Sequence, residues 1–212
     1  MKNFSVLIGL VVLLACEASV VAVEDISKVP TVTTADEAFA DVFKPMEGKW
    51  VGELKFFEDL SPSERNMDIL EHPSTGYLRT PSMKLQGRAK VERSYQSESP
   101  YFQRVQVKET YYDEADVTLE TSEYEGVQKV QNGKLWAISK IAADSTVVLK
   151  GTPIQDGFAW KRSALRPKMQ EYFEARTKSN VHEILGFAYR KGDDRKKMPR
   201  YWYYERYERS EK

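Results

Sequence analysis

Strict alternation of apolar and polar residues, repeated in segment after segment, limits this chain to one class of backbone. From Met83 the sequence reads MKLQGRAKVER, with Met83, Leu85, Gly87, Ala89 and Val91 on one side and Lys84, Gln86, Arg88, Lys90 and Glu92 on the other. A period of two belongs to an extended strand, whose successive side chains point to opposite faces. The stretch from Trp50 behaves alike: Trp50, Gly52, Leu54 and Phe56 oppose Val51, Glu53, Lys55 and Phe57. One dry face and one wet face is the signature of antiparallel sheet. Parallel sheets covered by helices read as continuous apolar runs, and none occurs beyond the N-terminal segment.

Further strands are expected at about 101–112, 117–124, 127–131, 134–141, 146–152, 158–165, 170–178, 182–190 and 201–207. Asn132-Gly133 is a strong hairpin signal, because both residues tolerate positive φ; Asp156-Gly157 is a second and Lys191-Gly192-Asp193 a weaker third. Consecutive antiparallel strands in this number remove their exposed edges by closing. The expected fold is therefore all-β: a single antiparallel up-and-down β-barrel of about ten strands, spanning 34–212, with one or two short helices. Thr34 and Glu37 have capping-box spacing ahead of an apolar face of Ala38, Phe39, Val42 and Phe43, which predicts a helix near 34–43. Ser61, Pro62 and Glu64 predict a second near 61–71, placed to cover one end of the barrel.

The N-terminus reads as an export signal. Lys2 precedes an apolar stretch from Phe4 to Ala15, shorter than the roughly 20 residues a membrane-spanning helix needs. Val20-Val21-Ala22 offers small residues for cleavage, giving a signal of 1–22 and a mature chain from Val23. Alternatively, Leu13-Leu14-Ala15-Cys16 resembles a bacterial lipobox, which implies a signal of 1–15 and lipidation of Cys16. Residues 23–33 read as a linker or tether. Cys16 is the sole cysteine, so the mature domain carries no disulfide despite export; a bacterial periplasm or envelope fits that better than a eukaryotic secretory route. Lys and Arg number 32 and Asp and Glu 32, so no basic excess supports nucleic acid binding. Membrane contact is expected only through a Cys16 anchor, and the protein is expected to be a monomer.

In Gly48-Lys49-Trp50 a glycine lets the chain bend as it enters the barrel, and Trp50 plugs the closed end. This tripeptide, the preceding short helix and the strand pattern over Phe43 to Tyr207 resemble the calycin superfamily, the lipocalin-like barrels. The resemblance implies structural roles for Gly48 and Trp50 and an arginine lying across the indole, for which Arg206 is the best match and Arg190 the alternative. The second and third lipocalin motifs and the paired cysteines are missing.

No Gly-x-Ser-x-Gly elbow, glycine-rich phosphate loop or His-Glu-x-x-His occurs. His72 and His182 are the only histidines, too few for a multi-histidine metal site. His182 shares a face with Ile184, Gly186 and Ala188 and is expected in the lumen, where one imidazole has the chemistry to bind haem iron; a satisfied core histidine is the commoner outcome. Glu109 falls inward with Val105, Val107 and Tyr111, and Glu123 less securely beside Val117 and Leu119. Tyrosines crowd the last strands around Trp202. No cofactor is called for. The residues expected to contact a lumen ligand are Trp50, Leu54, Leu85, Gly87, Glu109, His182, Trp202 and Tyr204, and the expected function is binding of a small hydrophobic or amphipathic molecule without chemistry. The alternatives are an envelope scaffold with a filled barrel, or a cofactor-free isomerase or cyclase using Glu109 and His182.

Overall fold

The structure is a computed structural model that describes residues 25–113, 116–142, 145–162 and 170–210. The expected export signal, Cys16 included, lies outside the described residues.

Ten strands run β1 (Gly48–Asp59), β2 (Met83–Ser99), β3 (Phe102–Tyr112), β4 (Thr118–Gln131), β5 (Lys134–Ala142), β6 (Ser145–Ile154), β7 (Gly157–Arg162), β8 (Gln170–Lys178), β9 (Val181–Tyr189) and β10 (Tyr201–Arg209). Each pairs antiparallel with its sequence neighbours, and β10 returns to β1, so the sheet closes as an up-and-down barrel. This is the architecture the alternation calls for, and it is compatible with a lipocalin-like barrel. Two strands expected at 117–124 and 127–131 are one continuous β4. Gly126 sits in mid-strand, where an added Cβ would fall 2.3 Å from the Ile138 carbonyl oxygen.

The Gly-Lys-Trp-Val-Gly opening of β1 has two physical causes. Gly48 holds φ at +109°, a conformation L side chains rarely adopt, and so turns the chain into the barrel. Gly52 lets β10 approach: a Cβ there would lie 2.0 Å from the Arg206 carbonyl oxygen. Gly87 serves neither purpose, since nothing lies within 4 Å of its hypothetical Cβ. The chain bends beside it, where the β1–β2 register shifts between Phe56 and Phe57 and leaves Gln86 unpaired against β1.

The first helical segment is a 3-10 helix over Thr34–Phe39 followed by a 3-10 turn at Lys44–Met46. It starts at Thr34 as expected, but its capping box is Thr33 and Asp36, one residue before the Thr34 and Glu37 pair. The Asp36 carboxylate accepts from the Thr33 amide and hydroxyl at 2.8 and 2.7 Å, and from the Gly133 amide at 2.7 Å. Burial opposes ionisation of Asp36, but these donors outweigh it and lower its pKa. The segment is thereby locked to the β4–β5 hairpin, whose Asn132 and Gly133 take φ of 55° and 66°.

The insert between β1 and β2 also differs from expectation. Its helix α1 covers Met67–Glu71 and is capped by Asn66, whose side chain accepts from Asp68 and Ile69, whereas the Ser61 amide bonds back to Asp59. The insert does not cover the barrel's end. It packs on the outer wall, where Leu70 joins Phe187, Tyr189, Met198 and Trp202 in a separate buried cluster. A third cluster forms on the wall opposite the lumen face of β3 to β6: Phe102, Val127, Trp136, Ile138 and Val148 gather around Ile26. Lys129 and Arg104 hold the carbonyls of Asp25 and Ile26 at 2.7 and 3.1 Å. Residues 25 and 26 are thus docked to the barrel, not part of a free tether.

No helix among the described residues is long and apolar enough to cross a membrane. On β2 the outward positions beyond the bulge, Arg88, Lys90 and Glu92, are charged and do not form the apolar band of a lipid-facing barrel.

Candidate functional site: the barrel lumen

Period two carries alternate residues of every strand into the interior. At one end the interior is solid. Trp50 is fully buried and donates its indole N–H to the Met46 carbonyl at 2.8 Å; Phe43, Met46, Phe158 and Trp160 pack around it. The arginine across this indole is Arg209, with its guanidinium carbon 4.3 Å from the ring centroid. Arg206, expected in that place, points outward and pairs with Glu183 at 2.9 Å, and Arg190 lies over Tyr201. The reason is parity: Glu205, Tyr207 and Arg209 share the inward face of β10, and Arg206 is on the other.

Above this plug lies a cavity of about 490 Å³. Leu54, Val105, Val107, Val147, Phe173 and Ile184 supply its apolar wall, and none of its lining residues comes from 60–82. A polar belt crosses it. Arg93 pairs with Glu205 at 2.7 Å and lies over the ring of Tyr207, whose hydroxyl donates to Glu205. Arg162 approaches Glu171 at 3.4 Å, and Tyr203 donates to the same carboxylate at 3.2 Å. Glu109 accepts from Tyr124 at 2.8 Å and from Tyr111. Burial raises the pKa of Glu205 against the opposing pull of Arg93, and that of Glu171 against Arg162 and Tyr203. Desolvation also raises the Tyr111 and Tyr124 hydroxyls, so both remain donors at neutral pH.

His182 is 1% exposed and sits among the rings of Trp50, Tyr95 and Tyr207, with centroids 5.6, 6.2 and 5.8 Å away. Its Nδ1 hydrogen-bonds the Thr177 hydroxyl at 2.8 Å, while Nε2 has no partner. Desolvation and the nearby Arg93 guanidinium push its pKa down to about 3, so the imidazole is neutral.

Of the residues expected around a ligand, Leu54, Glu109 and His182 line the cavity and Trp50 closes the space beneath it. Trp202 and Tyr204 point away from the lumen: Trp202 is buried under the insert, and the Tyr204 hydroxyl bonds Glu183 outside. Leu85 is 45% exposed, and neither it nor Gly87 lines the cavity; both border a surface groove at the bulge. Glu123 also points outward and faces Lys108 at 3.6 Å. Sequence reasoning missed Arg93, Gln128, Glu171 and Glu205. For Arg93 a signal existed, because the alternation of β2 continues through Val91 to Arg93 and Tyr95.

Among the described residues no cluster of histidine, cysteine and carboxylates could hold a metal ion. The belt can donate and accept hydrogen bonds and carry paired charge beside an apolar wall, which is the chemistry of a binding site for a molecule with one polar end. No protein-family model matches this chain, and no curated protein matches it either.

Proposed function

We propose that this protein is exported and binds a small amphipathic molecule in the barrel lumen, without chemical change to that molecule. One observation carries this reading: a 490 Å³ cavity persists inside the closed barrel, between an apolar wall and a belt of buried charges and tyrosine hydroxyls. That volume lies within the range of small-molecule sites. Burying about 200–300 Å² of apolar ligand surface is worth roughly 5–8 kcal/mol before association costs, which makes micromolar binding the upper limit. The scaffold alternative calls for a barrel filled by its own aromatics, and the cavity speaks against it.

The isomerase or cyclase alternative keeps its two candidates, because Glu109 and His182 both face inward. His182 is nonetheless a poor base: with a pKa of about 3, protonating it at pH 7 costs roughly 5 kcal/mol. Both carboxylate oxygens of Glu109 are engaged by tyrosines. Binding is the better supported role.

Native mass spectrometry of protein purified from its own source, followed by solvent extraction, tests the proposal. A bound small molecule, with a melting temperature that rises on adding it back, is expected. An empty barrel whose melting temperature no amphiphile shifts would overturn it. The same spectra test export: the product should begin near Val23 or carry a diacylated Cys16. An intact Met1 form from the cytosol would refute both.

A further inference from the structure

Among the described residues, charge in the lumen does not balance. Arg93 and Arg162 are the only cationic side chains among the described residues lining the cavity, against Glu109, Glu171 and Glu205. Among the described residues Arg93 pairs with Glu205 and Arg162 with Glu171. Glu109 is 7% exposed and has two tyrosine hydroxyls but, among the described residues, no cation paired with it. A desolvated carboxylate without a counter-charge is costly, and two neutral donors occupy only part of its acceptor capacity. A second group in the same cavity has the same deficit. Gln128, 7% exposed, lies on β4 with Tyr124, and its side-chain carbonyl oxygen has no donor.

Aromatic rings line the cavity next to Glu109. Tyr111 stacks against Phe56 with ring centroids 6.2 Å apart and planes 18° from parallel, and both line the cavity. A carboxylate in a cavity lined by aromatic rings suits a positively charged nitrogen, which can gain an ion pair and cation–π attraction together.

Resting on the lumen-binding reading above, we infer that the ligand class is a small amphipathic amine, its ammonium seated on Glu109 between the Tyr111 and Tyr124 hydroxyls and its apolar part against Leu54, Val107 and Ile184. An anionic head would instead be drawn to Arg93, whose Nε has no partner but whose terminal nitrogen already serves Glu205. It would also add a fourth negative charge to the cavity.

The test is a matched series of decylammonium, decanol and decanoate, titrated calorimetrically into the full-length mature protein at neutral pH. Decylammonium should bind about tenfold or more tighter than decanol, and decanoate should be weakest. Glu109→Gln should erase the preference for the ammonium over decanol, with a far-UV circular dichroism spectrum and a cooperative melt like those of the wild type showing that the variant is folded. Tyr124→Phe, which keeps the carboxylate, should retain the order of the three probes. Equal binding of all three heads, tighter binding of decanoate, or an unchanged preference in Glu109→Gln would overturn the amine assignment while leaving lumen binding intact. Failure of every probe to bind would overturn both.

Discussion

Arg209 in the last strand and Trp50 in the first are register partners, and the guanidinium carbon of the one lies 4.3 Å from the ring centroid of the other. The same guanidinium donates to the carbonyls of Pro45 and Glu47, which end the 3-10 turn beneath the barrel. One side chain thus ties the two ends of the sheet to the segment that plugs it. Arg209→Ala should lower stability by about 2–4 kcal/mol, from a cation–π contact and two charged hydrogen bonds. Arg206→Ala should cost under about 1 kcal/mol, because its ion pair with Glu183 is exposed. Urea unfolding of the two variants checks the contrast; equal losses would refute the assignment of Arg209.

Gly52 and Gly87 should respond oppositely to the same change. Gly52→Ala places a methyl group 2.0 Å from the Arg206 carbonyl oxygen, and neither strand can withdraw without breaking the β1–β10 seam. A loss of more than about 3 kcal/mol, or failure to fold, is expected. Gly87→Ala meets nothing within 4 Å and should leave the protein unchanged or more stable by about 0.4–1 kcal/mol. Thermal melts of both variants decide this.

His182 should make the protein acid-sensitive. Its folded pKa of about 3 lies below the ordinary 6.5, so between these values the unfolded chain takes up a proton that the folded one refuses. The contribution is present in full above pH 6.5 and is lost as pH falls toward 3, by up to about 1.4 kcal/mol per pH unit. Glu171 and Glu205, whose pKa values are raised, act in the opposite sense, favouring the fold where they bind protons. Comparing wild type with His182→Gln across this range isolates the imidazole. The variant's stability curve should be flatter between pH 4 and 6.5, and parallel curves would contradict the buried neutral histidine.

Trp202 should hold the insert without touching ligand. Its ring lies 4.6 Å from Tyr77 and 5.2 Å from Phe187 between centroids, and its indole donates to Pro199. Trp202→Ala should cost about 3–5 kcal/mol and expose residues 60–82 to protease, while lumen affinity in the surviving folded fraction stays within about twofold. Lost affinity at full folding would place Trp202 in the site after all.

Alternation along β1 and β2 and the Asn132-Gly133 turn specified antiparallel strands, and their repetition about ten times along the chain called for a closed barrel. Backbone direction and side-chain parity are local properties, and residues a few positions apart express them. The same parity put Leu54, Glu109 and His182 inside, and carried further along β10 it also separates Arg209 from Arg206. Tertiary structure alone decided what local pattern leaves open. The bulge at Gln86 breaks the parity that would have turned Leu85 toward the lumen. A last strand aromatic on both faces does not say which face is interior, and the insert settled it by burying Trp202 from outside. Ile26 looked like tether because the wall that receives it is assembled from β3 to β6, 76 to 122 positions further along the chain. The balance of charge around Glu109 was equally invisible, since a counter-ion is found by distance in space and Arg93, Arg162, Glu171 and Glu205 meet only when the sheet closes.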